Sequence, residues 1–381
     1  HWMVRRQRQM CIRDSLLMRG AGRCSRALVA SALSQRRGAP LLVVVPTLEE
    51  AGRWTALLEL MGWSQASLYP TSEGSPYEPF DPTSEITWGQ LQVLSDLLGE
   101  PNAASWAIVA TERCLQPHLP PPDVLKTKTR TLRKGDEVDL EALGETLAQL
   151  GYERVTTIEQ EGSWSRRGDI VDIFPVSSEL PVRLEFFGEE LDKLREFDPA
   201  SQRSLDPVDA LRLTPTGFGP LIADQLRETM PDGLEPLLGA EGTEQLLNGG
   251  TPEGMRRLMG LAWGQPASLL DYLPDTTTVV IDERRQGLAH GQQWLSHVEE
   301  HHHDMAAEAG LDEGDRDRLW PAVLHREIEA AYALTEVFHG FDMAELLEVD
   351  QHPNSFDLAS RPVAAYPNQF GKLGELIKGF Q

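Results

Sequence analysis

The chain has 381 residues and carries 35 Lys and Arg against 59 Asp and Glu, which gives a formal net charge of −24. Its 40% hydrophobic and 25% charged residues are ordinary for globular proteins and exclude a wholly disordered chain, a fibrous repeat and a disulfide scaffold. The acidity argues against non-specific binding of duplex DNA, which depends on contacts from Lys and Arg to phosphate. The length predicts two or three domains.

The three cysteines, Cys11, Cys24 and Cys114, are too few and too widely spaced for a disulfide or zinc framework. This usage favours a reducing compartment, so we expect a cytoplasmic protein. No run approaches the roughly 18 apolar residues of a transmembrane helix. The N-terminus also lacks the apolar run and cleavage site of a signal peptide. We therefore expect no association with a membrane.

Both ends of the chain differ from the rest. Residues 1–15 are Arg-rich, unlike the acidic sequence that follows, and we interpret them as a non-native leader. The alternative is a basic arm that binds nucleic acid. An apolar pattern of helical spacing begins at Phe370 and stops at Gln381. We therefore expect the chain to be part of a longer protein.

The first 110 residues alternate between helical and strand patterns. Residues 16–33 have helical spacing around a turn with Gly20 and Gly22, and Thr47 is a plausible N-cap for a helix through Met61. The short apolar runs predict buried strands at 41–45, 67–70 and 106–110. Strands alternating with helices at these intervals predict a parallel sheet with crossover helices.

A Pro-rich segment at 117–122 marks a predicted domain boundary, after which the pattern changes. A predicted helix at 139–150 is followed by predicted strands at 152–159, 168–174, 181–187 and 191–197, which indicate a small, mostly antiparallel α+β domain. Beyond it the sequence predicts a strand at 208–214, short helices at 220–260, a strand at 279–281, a helix at 288–310 and an extended segment at 353–367.

Two long motifs lie in the small domain: GSWSRRGDIVDIFP at 162–175 and PVRLEFFGEELDKLREFDP at 181–199. They resemble the domain that UvrB shares with the transcription-repair coupling factors, through which both contact UvrA. Residues 68–97 and 355–373 resemble the coupling factors in particular. Residues 68–97 are too short to contain the DNA-wedging hairpin that UvrB has in this region. The resemblance covers roughly residues 16–381.

The resemblance implies an α/β fold in which a RecA-like parallel-sheet domain is split by a small α+β domain that binds UvrA. The implied ranges are 16–122 and 208–325 for the two RecA-like parts, 123–207 for the UvrA-binding domain, and 326–381 for a linker and the start of a further domain. It also implies that RNA polymerase, duplex DNA, ATP and Mg²⁺ bind to regions outside this chain. In the resting full-length protein, the UvrA-binding surface would contact the C-terminal part.

A P-loop holds nucleotide phosphates through glycines, a Lys and a Ser or Thr hydroxyl. The matching sequence here is LMRGAGRC at 17–24, which keeps Gly20 and Gly22. Arg23 stands in the Lys position, and Cys24, a poor Mg²⁺ ligand, stands in the hydroxyl position. We therefore expect a degenerate loop without ATPase activity and no bound cofactor; weak nucleotide binding is the alternative.

The sequence VVIDER at 279–284 has the form of a Walker B strand, with Asp282 and Glu283 at its carboxyl end. Those carboxylates would complete a magnesium site only together with the loop Lys and hydroxyl. We interpret this segment as a degenerate Walker B strand and expect no catalytic residue in the chain.

The UvrA-binding surface of the resembled domain depends on basic residues. Arg154 and Arg167 match its basic positions, whereas Ser165 stands where UvrB has a further Arg. Arg166 is a candidate substitute, although neighbouring strand residues point to opposite faces. Trp164 is a candidate aromatic anchor. The alternative is that these arginines are simply solvated. A second basic group, Lys126, Lys128, Arg130, Arg133 and Lys134, is either an accessory strip or a polar strand face.

Other functional classes remain as alternatives. His297, Glu300 and His301 fit an H-x-x-E-H pattern that places two imidazoles on one helical face, but no third ligand is identifiable and we expect no metal. A DNA-binding module conflicts with the net charge. The expected function is a non-enzymatic adaptor that recruits UvrA to stalled RNA polymerase in transcription-coupled nucleotide excision repair. The alternative is a UvrB-like damage-recognition ATPase.

Overall fold

The computed structural model of the chain describes residues 16–99, 106–229, 234–308, 324–345 and 355–358, together with positions 310, 371 and 378. The predicted leader at 1–15 and the apolar pattern from Phe370 lie outside the described residues, apart from positions 371 and 378. Of the predicted extended segment at 353–367, only residues 355–358 are described.

The larger part of the molecule is built on a seven-stranded parallel sheet, as predicted. Its strands, in spatial order, are β15 (Ser355–Asp357), β1 (Leu17–Arg19), β14 (His339–Ala344), β13 (Thr278–Asp282), β2 (Leu41–Val45), β4 (Trp106–Thr111) and β3 (Gln65–Leu68). Strands from both ends of the sequence therefore lie side by side.

Alternate residues of the central strands face two different cores. Leu42 and Val44 of β2 belong to the core on one face, while Leu41, Val43 and Val45 belong to the core on the other. All five residues are buried. A parallel sheet covered on both faces has continuously apolar strands, and this explains why β2 is apolar throughout.

Helices cover both faces of this sheet. Thr47 is the N-cap of α2 (Leu48–Leu60), as predicted, and its hydroxyl accepts a hydrogen bond from the Glu50 backbone N–H at 3.2 Å. The helices of this part are α1 (Arg23–Arg36), α2 (Leu48–Leu60), α3 (Ser84–Leu98), α4 (Pro122–Lys128), α6 (Gly219–Thr229), α7 (Leu234–Leu247, kinked at Gly239), α8 (Met259–Ala262), α9 (Arg284–Glu308) and α10 (Ile328–Ala333). Short 3₁₀ turns lie at Glu112–Leu115, Met255–Leu258, Leu269–Tyr272 and Leu334–Val337.

The small domain has its own six-stranded sheet and its own core. The strands run in the order β11 (Ser204–Pro207), β10 (Glu190–Phe197), β9 (Val182–Phe187), β8 (Ile170–Phe174), β7 (Ser163–Arg167) and β6 (Glu153–Arg154). Only the β6–β7 pair is parallel. Helix α5 (Leu140–Gln149) packs Leu143 and Leu147 into this core. The strand predicted at 152–159 is reduced to β6.

A two-stranded stem joins the two parts. β5 (Arg130–Arg133) pairs antiparallel with β12 (Ala210–Leu213), and Leu211 and Leu213 pack in the core of the small domain. The domain limit predicted at 207 therefore leaves out a strand that packs with the small domain. β12 is held there by its antiparallel pairing with β5, which lies near the start of the predicted small domain.

Among the described residues, no helix combines the length and the apolar character needed to cross a lipid bilayer.

Candidate partner-binding surface and strand-loop-helix site

A buried carboxylate holds two arginines on one face of the small domain's sheet. Asp172 of β8 is 1% exposed and accepts hydrogen bonds from Arg183 at 2.7 and 3.0 Å and from Arg167 at 2.9 Å. The hydrogen bond and charge of Asp172 raise the pKa of Arg183. The Arg167 side chain is 59% exposed, so one guanidinium nitrogen is held while the rest remains open to a partner.

Arg154 and Trp164 form a second contact on the opposite face. The Arg154 guanidinium carbon lies 5.2 Å from the centre of the Trp164 ring, which is within the range of a cation–π contact. Trp164 itself is 6% exposed and belongs to the core of the domain. The structure therefore places Trp164 beneath Arg154 instead of at the surface as a free anchor.

The space for this ring comes from a glycine on α5. A Cβ added at Gly144 would lie 3.0 Å from the Trp164 ring, closer than such atoms normally pack. The absence of a side chain at Gly144 lets the indole fill the gap between helix and sheet. This is a packing requirement that the sequence around Trp164 does not reveal.

The predicted arginines surround one end of the sheet but do not share a face. Arg167 lies with Asp172, Arg154 lies with Trp164, and strand alternation puts Arg166 on the same side as Trp164. Within the described part of the domain, β6 pairs only with Ser163 and Trp164 of β7, so the Arg166–Arg167 end of β7 has a strand neighbour on one side only. Ser165 is buried and offers no contact surface.

One alternative for the second basic group was a polar strand face. Some of its residues instead lie on a helix and others on strand β5. Lys126 and Lys128 lie in helix α4, because Pro122 begins a helix that continues to Lys128. Lys128 pairs with Asp224 at 2.7 Å, and Lys134 lies 3.9 Å from Asp192. Arg130 and Arg133 are the exposed residues that lie on strand β5.

The predicted loop at 17–24 joins a strand to a helix. β1 ends at Arg19, Gly20 has a φ of 71°, and Gly22 is the N-cap of α1. A positive φ favours glycine, which accounts for Gly20 at this turn. Arg23, in the first turn of the helix, donates to both carboxylate oxygens of Glu50 at 2.6 and 2.7 Å. Cys24 is an exposed free thiol.

Arg26, which no sequence pattern assigned to this site, is buried at its centre. Its guanidinium forms ion pairs with Asp282, at 3.2 Å, and with Glu283. Trp54 also donates to Asp282 at 2.8 Å. The carboxylates of the predicted Walker B strand are therefore paired within the protein. One local signal was available in the sequence. Arg26 is the second basic residue, after Arg23, near the start of the helix that follows the glycine loop.

Burial and the neighbouring arginines shift the carboxyl pKa values of this site in opposite directions. Burial raises the pKa of Asp282 to about 6, against the opposing effect of the Arg26 charge and the Trp54 hydrogen bond. Burial also raises the pKa of Glu50, but the hydrogen bonds and charge of Arg23 and Arg53 outweigh it and lower that pKa overall. Glu283 has a φ of 51°, an uncommon value for a residue other than glycine, at the junction between β13 and α9.

Residues 131–217 match the UvrB interaction domain family. The chain is 28% identical over 286 residues to the transcription-repair coupling factor of Bacillus subtilis, which covers 70% of this chain and 24% of that protein. It is 30% identical over 268 residues to that of Haemophilus influenzae, covering 68% and 23%. It is 31% identical over 275 residues to that of Mycobacterium bovis, covering 68% and 22%.

These matches and the fold define an α/β protein with a UvrB interaction domain set between strands of its parallel sheet. Over most of its described length the chain is similar to the transcription-repair coupling factors. The matched part spans less than a quarter of the length of these relatives.

Proposed function

We propose that the small domain binds UvrA and recruits it to stalled RNA polymerase in transcription-coupled nucleotide excision repair. The observation that carries this proposal is the exposed Arg167 held by the buried Asp172 at the open end of β7. The UvrB interaction domain match covers this surface, and the resemblance of residues 162–199 implies UvrA as the partner. Arg154 and Arg166 would extend the contact around the same end of the sheet.

The chemistry of arginine supports a protein partner with exposed carboxylates. The planar guanidinium can form paired hydrogen bonds with a carboxylate, and arginine is enriched among residues that dominate interface energies. Asp172 occupies one nitrogen of Arg167 and so restricts the side chain before a partner arrives. Such preorganisation lowers the entropic cost of binding.

The test is a binding titration of the 381-residue chain with purified UvrA at two salt concentrations, beside Arg167→Glu and Arg154→Glu. We expect each substitution to weaken binding about 30-fold or more, since a truncated hot-spot residue typically costs about 2 kcal/mol. Arg133→Glu is the matched control, because Arg133 is exposed on the stem and undergoes the same charge change. Equal affinity of all four proteins would reject the proposed surface.

We propose that the strand-loop-helix site at residues 17–36 neither hydrolyses ATP nor serves as a cofactor site. Arg23 and Cys24 stand where a P-loop has Lys and a hydroxyl, and Arg26 already forms ion pairs with Asp282 and Glu283. Binding Mg²⁺ at these carboxylates would require a buried ion pair to be broken. Nucleotide binding and ATP turnover by the isolated chain test this proposal. Turnover that depends on Asp282 would favour the UvrB-like ATPase instead.

We propose that RNA polymerase, duplex DNA and ATP with Mg²⁺ bind to parts of such proteins outside the matched region, in the bacterial cytoplasm. We further propose that contact with the C-terminal part covers the UvrA-binding surface in the resting full-length protein. The UvrA-binding surface would then be coupled to the C-terminal part through two states, one in which the surface is covered and one in which it is open. The chain should therefore bind UvrA more tightly than the resting full-length protein does; equal affinities would contradict this masking.

A further inference from the structure

Two imidazoles and a carboxylate converge away from both sites described above. His297 and His301 lie one turn apart on α9, and Glu78 lies in the segment between β3 and α3. One possible ligand atom from each residue lies within 4.8 Å of the others. The third group that the H-x-x-E-H pattern lacked is therefore Glu78, which is distant in sequence and brought close by the fold.

Contacts on either side of the histidine pair hold the Glu78 segment against α9. Trp294, about one turn before His297, donates from its indole nitrogen to the Gly74 carbonyl at 3.2 Å. The Tyr77 ring is 5% exposed and packs against the ring of His302, with centres 4.7 Å apart. The residues immediately flanking the cluster thus fix the distance between the two elements.

Local contacts also orient the carboxylate. Glu78 Oε1 accepts a hydrogen bond from the Ser75 backbone N–H at 3.2 Å. A Cβ added at Gly74 would lie only 2.6 Å from the same oxygen, so this position of Glu78 requires a glycine at residue 74. Partners of this kind orient metal-binding side chains, and their loss typically lowers metal affinity about 10–100-fold.

We propose that Glu78, His297 and His301 form a Zn²⁺-binding site. Two imidazole nitrogens and one carboxylate oxygen are a ligand set that zinc accepts in open sites, where the fourth position holds water or another group. The three groups lie close enough that small side-chain rotations would bring their ligand atoms onto one ion. His297 is exposed, whereas Glu78 and His301 are partly buried, so the ion can enter from solvent. Bound zinc would link α9 to the segment that contains Glu78.

The test is a calorimetric titration of the whole chain with ZnCl₂, in a background that carries Cys11→Ser and Cys24→Ser to remove competing thiols. Cys114 stays in place, because it is fully buried and burial raises the pKa of its thiol. We expect one saturable site and a higher melting temperature with zinc, since a ligand that binds the folded state stabilises it.

Three variants distinguish this site from other histidines. His297→Ala combined with His301→Ala should abolish the saturable site, and Glu78→Gln should weaken it about tenfold or more, as even indirect partners contribute that much. His303→Ala is the matched control on the same helix and should retain zinc binding.

Gly74→Ala tests positioning separately, because it displaces the Glu78 carboxylate while keeping all three ligands. We expect it to weaken zinc binding about tenfold. Circular dichroism confirms that each variant is folded. Absence of saturable binding in the background protein, or unchanged binding in the double histidine variant, would overturn the proposal.

Discussion

The small domain and the parallel sheet each contain a buried aspartate paired with arginine, but the two pairs face different surroundings. In the small domain, Asp172 is 1% exposed while its partner Arg167 is 59% exposed. At the end of the parallel sheet, Asp282 is 1% exposed and its partner Arg26 only 4% exposed. The same two residue types thus form an open pair in one region and a closed pair in the other.

The exposure of the arginine determines what each pair can do. Arg167 keeps most of its guanidinium surface for a partner, and Asp172 restricts its position. Arg26 is enclosed by carboxylates and α1, so its charge is used entirely within the protein. The closed pair should therefore influence folding, while the open pair should influence binding.

The largest expected effect is the loss of the closed pair. Arg26→Ala leaves Asp282 and Glu283 without their buried cation, and removing one partner of a buried pair typically costs about 3–5 kcal/mol. Urea unfolding at pH 7.5 measures the change. Arg23→Ala is the control, because Arg23 is 33% exposed and its pair with Glu50 is partly solvated. An effect of Arg26→Ala no larger than that of the control would contradict the comparison.

A third buried carboxylate, that of Glu112, forms no ion pair with an arginine among the described residues. Glu112 follows β4 and is 3% exposed, and neither of its carboxylate oxygens has a hydrogen-bond partner among the described residues. Burial raises its pKa to about 7, although the charges of Arg113 and His290 oppose this shift. The folded state therefore binds this proton more tightly than the unfolded chain does.

Stability should accordingly fall as the pH rises from about 4.5 to 7, because in that window the unfolded chain has released a proton that the folded protein still holds. Glu112→Gln removes this loss and should stabilise the protein by about 3 kcal/mol at pH 8, with little change at pH 4.5. Urea unfolding of both proteins across this range provides the measurement. Parallel stability curves for wild type and variant would show that Glu112 does not titrate as described.

The open pair should act mainly on binding. Asp172→Asn removes the charge that holds Arg167 and Arg183 while keeping the size of the side chain. We expect UvrA affinity to fall about tenfold, since a hydrogen bond to a charged group is typically worth about 1.5 kcal/mol. The double variant Asp172→Asn with Arg167→Ala should bind as weakly as Arg167→Ala alone. Additive losses would indicate that Asp172 acts independently of Arg167.

We expect the weakest effect for a network of ion pairs at the surface. Arg53 on α2 pairs with Glu49 and Glu50, and its side chain is 49% exposed. Solvent screens such pairs, so Arg53→Ala should change the free energy of unfolding by about 0.5 kcal/mol or less. Thermal or urea unfolding can resolve this. A loss as large as that of Arg26→Ala would break the link between burial and energetic value.

The sequence predicted the parts of the fold that have strong local patterns. The apolar run of Leu41–Val45 and the N-cap at Thr47 correctly predicted β2 and α2. β1 and β6 have three and two residues, which is too short for a recognisable alternation, so their pairing depends on the rest of the sheet.

In the candidate sites too, local motifs were predictable from the sequence, whereas long-range contacts were not. Arg154, Arg166 and Arg167 could be selected from their motif, but the burial of Trp164 depends on Gly144 in another element. The role of Arg26 depends on carboxylates more than 250 residues away, as its pairing with Glu283 shows. Contacts of this range follow from the topology and leave no local pattern in the sequence.

The stem of β5 and β12 brings the two chain connections of the small domain together. Arg133 lies directly opposite Ala210, and Arg130 lies opposite Leu213, so the chain leaves the parallel-sheet domain and returns to it at neighbouring points. Paired residues on antiparallel strands lie about 5 Å apart, a gap that a short turn can close. Both cuts needed to excise the small domain therefore fall at neighbouring positions on one pair of strands.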